Sequence, residues 1–167
     1  MRAERRAGAV AAAGGFAALA AAWIAEHLMS MAPCALCLLE RWPYRILVLL
    51  GLAALLAPAR VARILAWLLA LPLLAAIALA LTHVGVEQGW WPDPLPACQA
   101  PHFSRLGAGG SMAERLASMP LRPVKPCDAP NRLIDWLPIS MATLDLMFAA
   151  TMSVIVAVIT WRPRRSA

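Results

Sequence analysis

Two runs of nineteen residues without a charge, 7–25 and 64–82, constrain this chain more than any other feature of its sequence. Apolar residues fill each run as a block instead of recurring as a stripe, so both read as lipid-facing helices. About twenty residues at roughly 1.5 Å each cross a hydrocarbon core of about 30 Å, so each run can span. A third run covers 139–161, with Asp145 as its only charge. A fourth, 38–57, has the length but carries Glu40, Arg41 and Arg45 in its first two turns. Composition agrees: 62% of the 167 residues are hydrophobic and 14% charged, against roughly a quarter charged in a soluble domain. The expected fold is an all-α membrane protein, a four-transmembrane-helix antiparallel bundle forming one domain over 1–167. Its spans fall near 7–28, 38–57, 64–82 and 139–161, with loops at 29–37 and 83–138 on the outer face.

Arginine placement sets the sidedness. Arg2, Arg5 and Arg6 precede the first span, Arg60 and Arg63 fill the turn between the second and third, and Arg162, Arg164 and Arg165 follow the fourth. All lie on one face in very short segments, so that face is cytoplasmic and holds both termini. Arg105, Arg115, Arg122, Lys125 and Arg132 lie on the other face, but in a long loop, which counts weakly. Trp23, Trp42, Trp90, Trp91 and Trp136 fall near the outer boundary and Trp67 and Trp161 near the inner one, as interfacial belts do. The net charge of +6 is thus a matter of topology, and no separate basic domain points to nucleic acid. A secretory signal is the alternative for the N-terminus. Its apolar run exceeds the usual ~7–15 residues, and cleavage would leave an odd number of spans.

The long outer loop holds nine of the fourteen prolines and is expected to be extended and partly mobile. Ser111-Met112-Ala113-Glu114 matches a capping box, with Met112, Leu116 and Met119 at helical spacing. That island reads equally as a short surface helix or as a frayed turn.

All four cysteines fall on the outer face. Cys34 and Cys37 form Cys-Ala-Leu-Cys at the mouth of the second span; Cys98 and Cys127 stand twenty-nine residues apart in the long loop. Three pairings are possible, and proximity favours Cys34–Cys37 with Cys98–Cys127. A zinc site usually needs two close pairs or histidines at short spacing, which this sequence lacks, so no metal is expected. If the second span is helical from near Cys37, Arg41 is one turn on, on the same face. A cation and a helix N-terminus both stabilise a thiolate, the nucleophile of disulfide exchange. The same guanidinium can hydrogen-bond a carbonyl oxygen at the membrane surface. Arg45 reads as snorkelling to headgroups. Pro43 complicates the same-face argument, since it can delay or kink the helix.

Pro33-Cys34-Ala35-Leu36-Cys37-Leu38-Leu39-Glu40-Arg41 resembles the Pro-Cys-x-x-Cys-x-x-x-Arg signature of the DsbB family, the bacterial disulfide bond formation proteins B. The resemblance covers the whole chain, including Cys127-Asp128 followed by Trp136-Leu137 and Ser140-Met141 before the last span. It implies a quinone-dependent thiol oxidoreductase in the bacterial inner membrane, with its cysteines periplasmic. A DsbA-like thioredoxin-fold partner would attack Cys98. Reduced Cys98–Cys127 would be reoxidised by Cys34–Cys37, and Cys37 would pass electrons to the quinone (ubiquinone or menaquinone), with Arg41 helping to bind it.

His83 is a further candidate for lining the quinone pocket, although, like Glu26 and His27, it reads first as an interfacial residue at a helix end. Glu40 reads as the partner of a nearby arginine, and Asp145 as facing the bundle interior. Two rival functions stand beside the oxidase. One is a quinone-linked reductase similar to vitamin K epoxide reductase, where the Cys-x-x-Cys lies late in the bundle. The other is a membrane scaffold whose cysteines staple its outer loops.

Overall fold

The computed structural model describes residues 3–95, 98, 125–132 and 139–161, and among these it is helical, with no strand beyond an isolated bridge between Arg132 and Ser140. The Ser111–Met119 island, Arg105, Arg115, Arg122, Trp136 and the three C-terminal arginines lie outside the described residues. The helices are α1 (Ala3–His27), α2 (Ala35–Leu56), α3 (Ala59–Leu68), α4 (Ala70–Glu87) and α5 (Met141–Trp161).

Helices α3 and α4 run on through Leu69, whose backbone stays in the right-handed helical region. Pro72 explains the interruption, because it lacks the N–H that would bond the carbonyl four residues back. Together they make a rod over Ala59–Glu87, which with α1 and α5 is one of three helices among the described residues long and apolar enough to cross a membrane. The remaining helix, α2, has 22 residues and carries Glu40, Arg41 and Arg45 near its start.

Two boundaries near the cysteines differ from the hydropathy reading. The second helix begins at Ala35 and runs unbroken through a buried Pro43, so Cys37 lies in its first turn and not in a loop over 29–37. The α4 helix continues to Glu87, which makes His83 helical and shortens the long loop. Its end is a Schellman motif: Trp90 N–H donates to the Gly85 carbonyl at 2.8 Å, Gly89 N–H to that of Val86 at 3.1 Å, and Gly89 takes φ +70°. Glycine adopts that conformation without a Cβ penalty. At the start of α5, Ser140 Oγ accepts the Thr143 N–H at 3.2 Å, an N-cap arrangement.

Packing inverts the soluble pattern. The buried core is rich in small residues, among them Ala7, Ala11, Ala66, Ala76 and Ala149, packed with Tyr44, Leu47, Leu73 and Met152. Phe16, Leu49, Leu56, Leu71 and Trp161 point outward. Small residues between helices and large apolar ones outside are what a bilayer favours, since close backbone approach replaces the hydrophobic drive of water. The tightest seam lies between α1 and α2, where a Cβ on Gly51 would stand 2.6 Å from the Gly8 carbonyl oxygen and 2.7 Å from the Ala12 nitrogen. Both obstacles are backbone and neither can swing away. Gly51→Leu is therefore expected to destabilise the fold by about 1–3 kcal/mol or more, seen as a lower thermal-unfolding midpoint in detergent. Leu49→Ala, on the outward face, should change it by less than about 0.5 kcal/mol.

The polar residues gather at two separated levels. Glu4 of α1 meets Arg63 of α3 at 3.6 Å. Far along the chain from these, Glu26, Cys34, Arg41, His83 and Glu87 line one cavity.

Candidate functional site

The site is built on the first turn of α2. Pro33 leads into Cys34, which takes extended backbone angles (φ −82°, ψ 173°) and serves as the N-cap. Its Sγ accepts the backbone N–H of Cys37 at 3.1 Å. The open N–H groups and the positive end of the helix dipole therefore face the Cys34 sulfur, and both favour a thiolate there once the pair is reduced.

Cys34 is disulfide-bonded to Cys37 with Cα atoms 5.1 Å apart, and Cys98 to Cys127 at 4.9 Å, the pairing that proximity favours. Cys98 and Cys127 are fully buried; the proline-rich segment between them, expected to be extended, lies outside the described residues over 99–124. The two cysteines pack with Cys34, Leu36 and Val86 in one apolar cluster, with Cys37 at its edge. The residues around Cys127 are tied down locally. Lys125 Nζ donates to the Asn131 side chain and to the Pro130 carbonyl, Asn131 Nδ2 to the Ala32 carbonyl, and Met141 N–H to the Asn131 carbonyl. The two disulfides are thus neighbours across elements far apart in sequence.

His83 departs most from its expected setting. It is 4% exposed, one turn inside the end of α4, not an interfacial residue at a wet helix end. One ring nitrogen, Nδ1, lies 2.9 Å from Glu40 Oε1 and the other, Nε2, 3.5 Å from Cys34 Sγ. A carboxylate only accepts, so Nδ1 carries the hydrogen in this arrangement. Glu87 Oε1 stands 3.9 Å from Nε2. Glu40 is buried and pairs with this histidine, not with an arginine.

Arg41 is on the Cys37 face, as helical spacing requires, but its guanidinium meets Glu26 of α1 at 2.8 Å. Its charge is largely committed there, which weakens the expectation that it stabilises a thiolate, although its buried Nε has no hydrogen-bond partner among the described residues. Arg45 lies over the Trp42 ring at 5.0 Å, an exposed cation–π contact consistent with snorkelling. Exposed His27 bonds the Trp23 carbonyl and stacks on that ring. Asp145 does face inward: Tyr44 donates its hydroxyl to Asp145 Oδ1 at 2.6 Å, while the buried Oδ2 has no partner among the described residues.

These groups surround a cavity of about 620 Å³ between α1, α2, α4 and α5. Cys34, Cys37, Arg41 and His83 lie on its wall, Ala18, Ala22, Leu144 and Phe148 supply apolar surface, and Tyr44 and Asp145 complete its polar lining. Mostly apolar walls with a few convergent polar groups are the ordinary form of a small-molecule site. Sequence reading missed the contributions of Glu40, Tyr44 and Glu87. The usable signal was their cost: an ionisable group within an apolar helix demands a partner.

The family model for "Disulfide bond formation protein DsbB" matches residues 4–159, nearly the whole chain. The chain belongs to the DsbB family. DsbB membership, apolar helices and a Cys-x-x-Cys disulfide beside His83 make it a membrane oxidoreductase of disulfide formation. A curated relative, "Uncharacterized protein RP370" of Rickettsia prowazekii (strain Madrid E), is 28% identical over 147 residues, 88% of this chain and 82% of that one. No solved structure matches the chain.

Proposed function

We propose that the chain oxidises the dithiol of a DsbA-like thioredoxin-fold protein at the outer face of the bacterial inner membrane and delivers the electrons to a membrane quinone. The observation that carries this reading is the double contact of the Cys34–Cys37 disulfide. One side packs with Cys98 and Cys127, and the other opens on the 620 Å³ cavity. A structural staple has no need of either contact.

Helix α2 is the fourth span in this reading. Its charges are compensated toward the protein, with Glu40 on His83 and Arg41 on Glu26, and the stretch beyond Arg45 is apolar to Leu56. The four columns alternate in direction, consistent with Gly8 against Gly51 and Gly15 against Tyr44. The level of Glu4 and Arg63 is cytoplasmic, with both termini, and the cysteines are periplasmic.

The partner's docking must first uncover Cys98, which is fully buried at rest; its thiolate then attacks that sulfur, and the mixed disulfide is resolved by the partner's second thiol, leaving Cys98 and Cys127 reduced. These reduce Cys34–Cys37 by a second exchange. Each exchange forms one S–S bond as another breaks, and each pair takes up two electrons and two protons. The dipole at the α2 N-terminus stabilises the thiolate released at Cys34.

The cavity fits a quinone ring: its volume is that of a small-molecule site, its walls are apolar, and the unpartnered Arg41 Nε supplies a buried donor for a carbonyl oxygen. Arg41 and His83 would hold the ring near Cys37. A bound quinone accepts the two electrons and two protons that the Cys34/Cys37 dithiol gives up.

The chain in detergent, reduced anaerobically with excess small dithiol and then freed of it, tests the reading through its thiol content. Added quinone should restore both disulfides, whereas thiols should persist without it. Cysteines that resist reduction, or that ignore quinone, would identify a stapled scaffold instead, because structural disulfides have low potentials.

A further inference from the structure

His83 holds a carboxylate on one nitrogen and aims the other at a redox-active sulfur. Histidines that bind metals show that arrangement, since a carboxylate on Nδ1–H fixes the tautomer, orients the ring and leaves Nε2 as the ligand. Here Glu40 occupies Nδ1 at 2.9 Å, and Nε2 faces Cys34 Sγ at 3.5 Å. The Sγ atoms of Cys34 and Cys37 and the His83 nitrogen all lie within 4.8 Å of one another. Zinc–sulfur bonds of about 2.3 Å and zinc–nitrogen bonds of about 2.0–2.1 Å put the edges of a tetrahedral site at roughly 3.4–3.8 Å. The Cys34–His83 separation already has that length, and the sulfurs move apart once their bond is broken. The cavity provides an entry path, and Glu87 Oε1, 3.9 Å from Nε2, borders the fourth position.

We propose that reduced Cys34 and Cys37, together with His83 Nε2, form a binding site for one thiophilic divalent cation such as Zn²⁺, with Glu40 as the residue that positions the histidine. Binding displaces two thiol protons and moves no electron, so the cation competes with reoxidation and holds the pair reduced. A spacing rule does not find the site because its histidine comes from another helix. The site rests on the Cys34–Cys37 pair being reducible and not on any quinone, so the two readings fail separately.

The test uses the full chain carrying Cys98→Ser and Cys127→Ser, which removes the competing thiols, in detergent without quinone. Cd²⁺ is titrated anaerobically into the reduced protein while thiolate-to-cadmium charge-transfer absorption is followed. Saturation at one equivalent is expected, with none in the oxidised protein. His83→Ala should weaken binding tenfold or more, and Glu40→Gln should weaken it less. Cadmium NMR on the protein with His83 intact gives a check that needs no histidine variant to fold: its shift should report nitrogen beside two sulfurs. No saturable binding in the reduced protein, equal affinity in His83→Ala, or a shift showing sulfur and oxygen alone would each overturn the proposal.

Discussion

Cys37→Ser is expected to lower thiol-driven quinone reduction on the order of a thousandfold or more, with protein and small-dithiol donors alike. Cys37 is the half-buried member of its pair and lies on the cavity wall; without its sulfur the pair cannot pass on two electrons. Serine keeps the backbone N–H that Cys34 Sγ accepts, so the α2 cap survives and the loss is chemical. The counterpart is the outer pair. Cys98→Ser should stop turnover with a thioredoxin-fold donor yet spare turnover with a small dithiol, which can reach Cys34–Cys37 through the cavity. Following quinone absorbance with each donor separates the roles. Equal loss with both donors in Cys98→Ser would contradict an ordered relay.

Arg41→Ala should raise the KM for quinone about tenfold or more, while exchange between the two cysteine pairs continues at its parental rate. A charge-assisted hydrogen bond contributes about 1.5–3 kcal/mol, enough for that shift. Removing Arg41 also breaks its contact with Glu26, so Glu26→Gln is the control. That pair is partly exposed, with side chains 19% and 22% accessible, and its loss alone should matter little. Arg41→Lys restores the charge without the planar fork and should recover only part of the effect. A KM unchanged in Arg41→Ala would remove Arg41 from the quinone site.

Much of this architecture could be read from the chain alone, for identifiable reasons. Long apolar runs locate α1, the α3–α4 rod and α5, because hydrocarbon tolerates at most an isolated, inward-facing charge such as Asp145 over that length. The Cys34–Cys37 pairing is legible because the two lie one helical turn apart, a local relation that spacing captures. The pairing of Glu40 with His83 is not legible: forty-three residues separate them, and helical periodicity reports neighbours only within one helix. The same blindness misplaced the end of α4. A polar residue reads as the edge of a span unless its partner is known, and here Glu40 lets the helix carry His83 inward to Glu87. Arg41 shows the converse. Its position on the Cys37 face followed from spacing, but its engagement by Glu26 depends on how α1 packs on α2. The burial of Cys98 and Cys127 was equally hidden, because proline content describes chain stiffness and not what a disulfide packs against.

Thiol electrons that leave through the cavity tie donor oxidation to quinone reduction in a fixed ratio. The purified chain should be mixed anaerobically with a reduced DsbA-like donor and excess quinone, and both products counted. Electron exit through the cavity requires one quinol formed for each donor disulfide, sustained over many turnovers. No quinol with any quinone tried, even when a small dithiol replaces the protein donor, would contradict it.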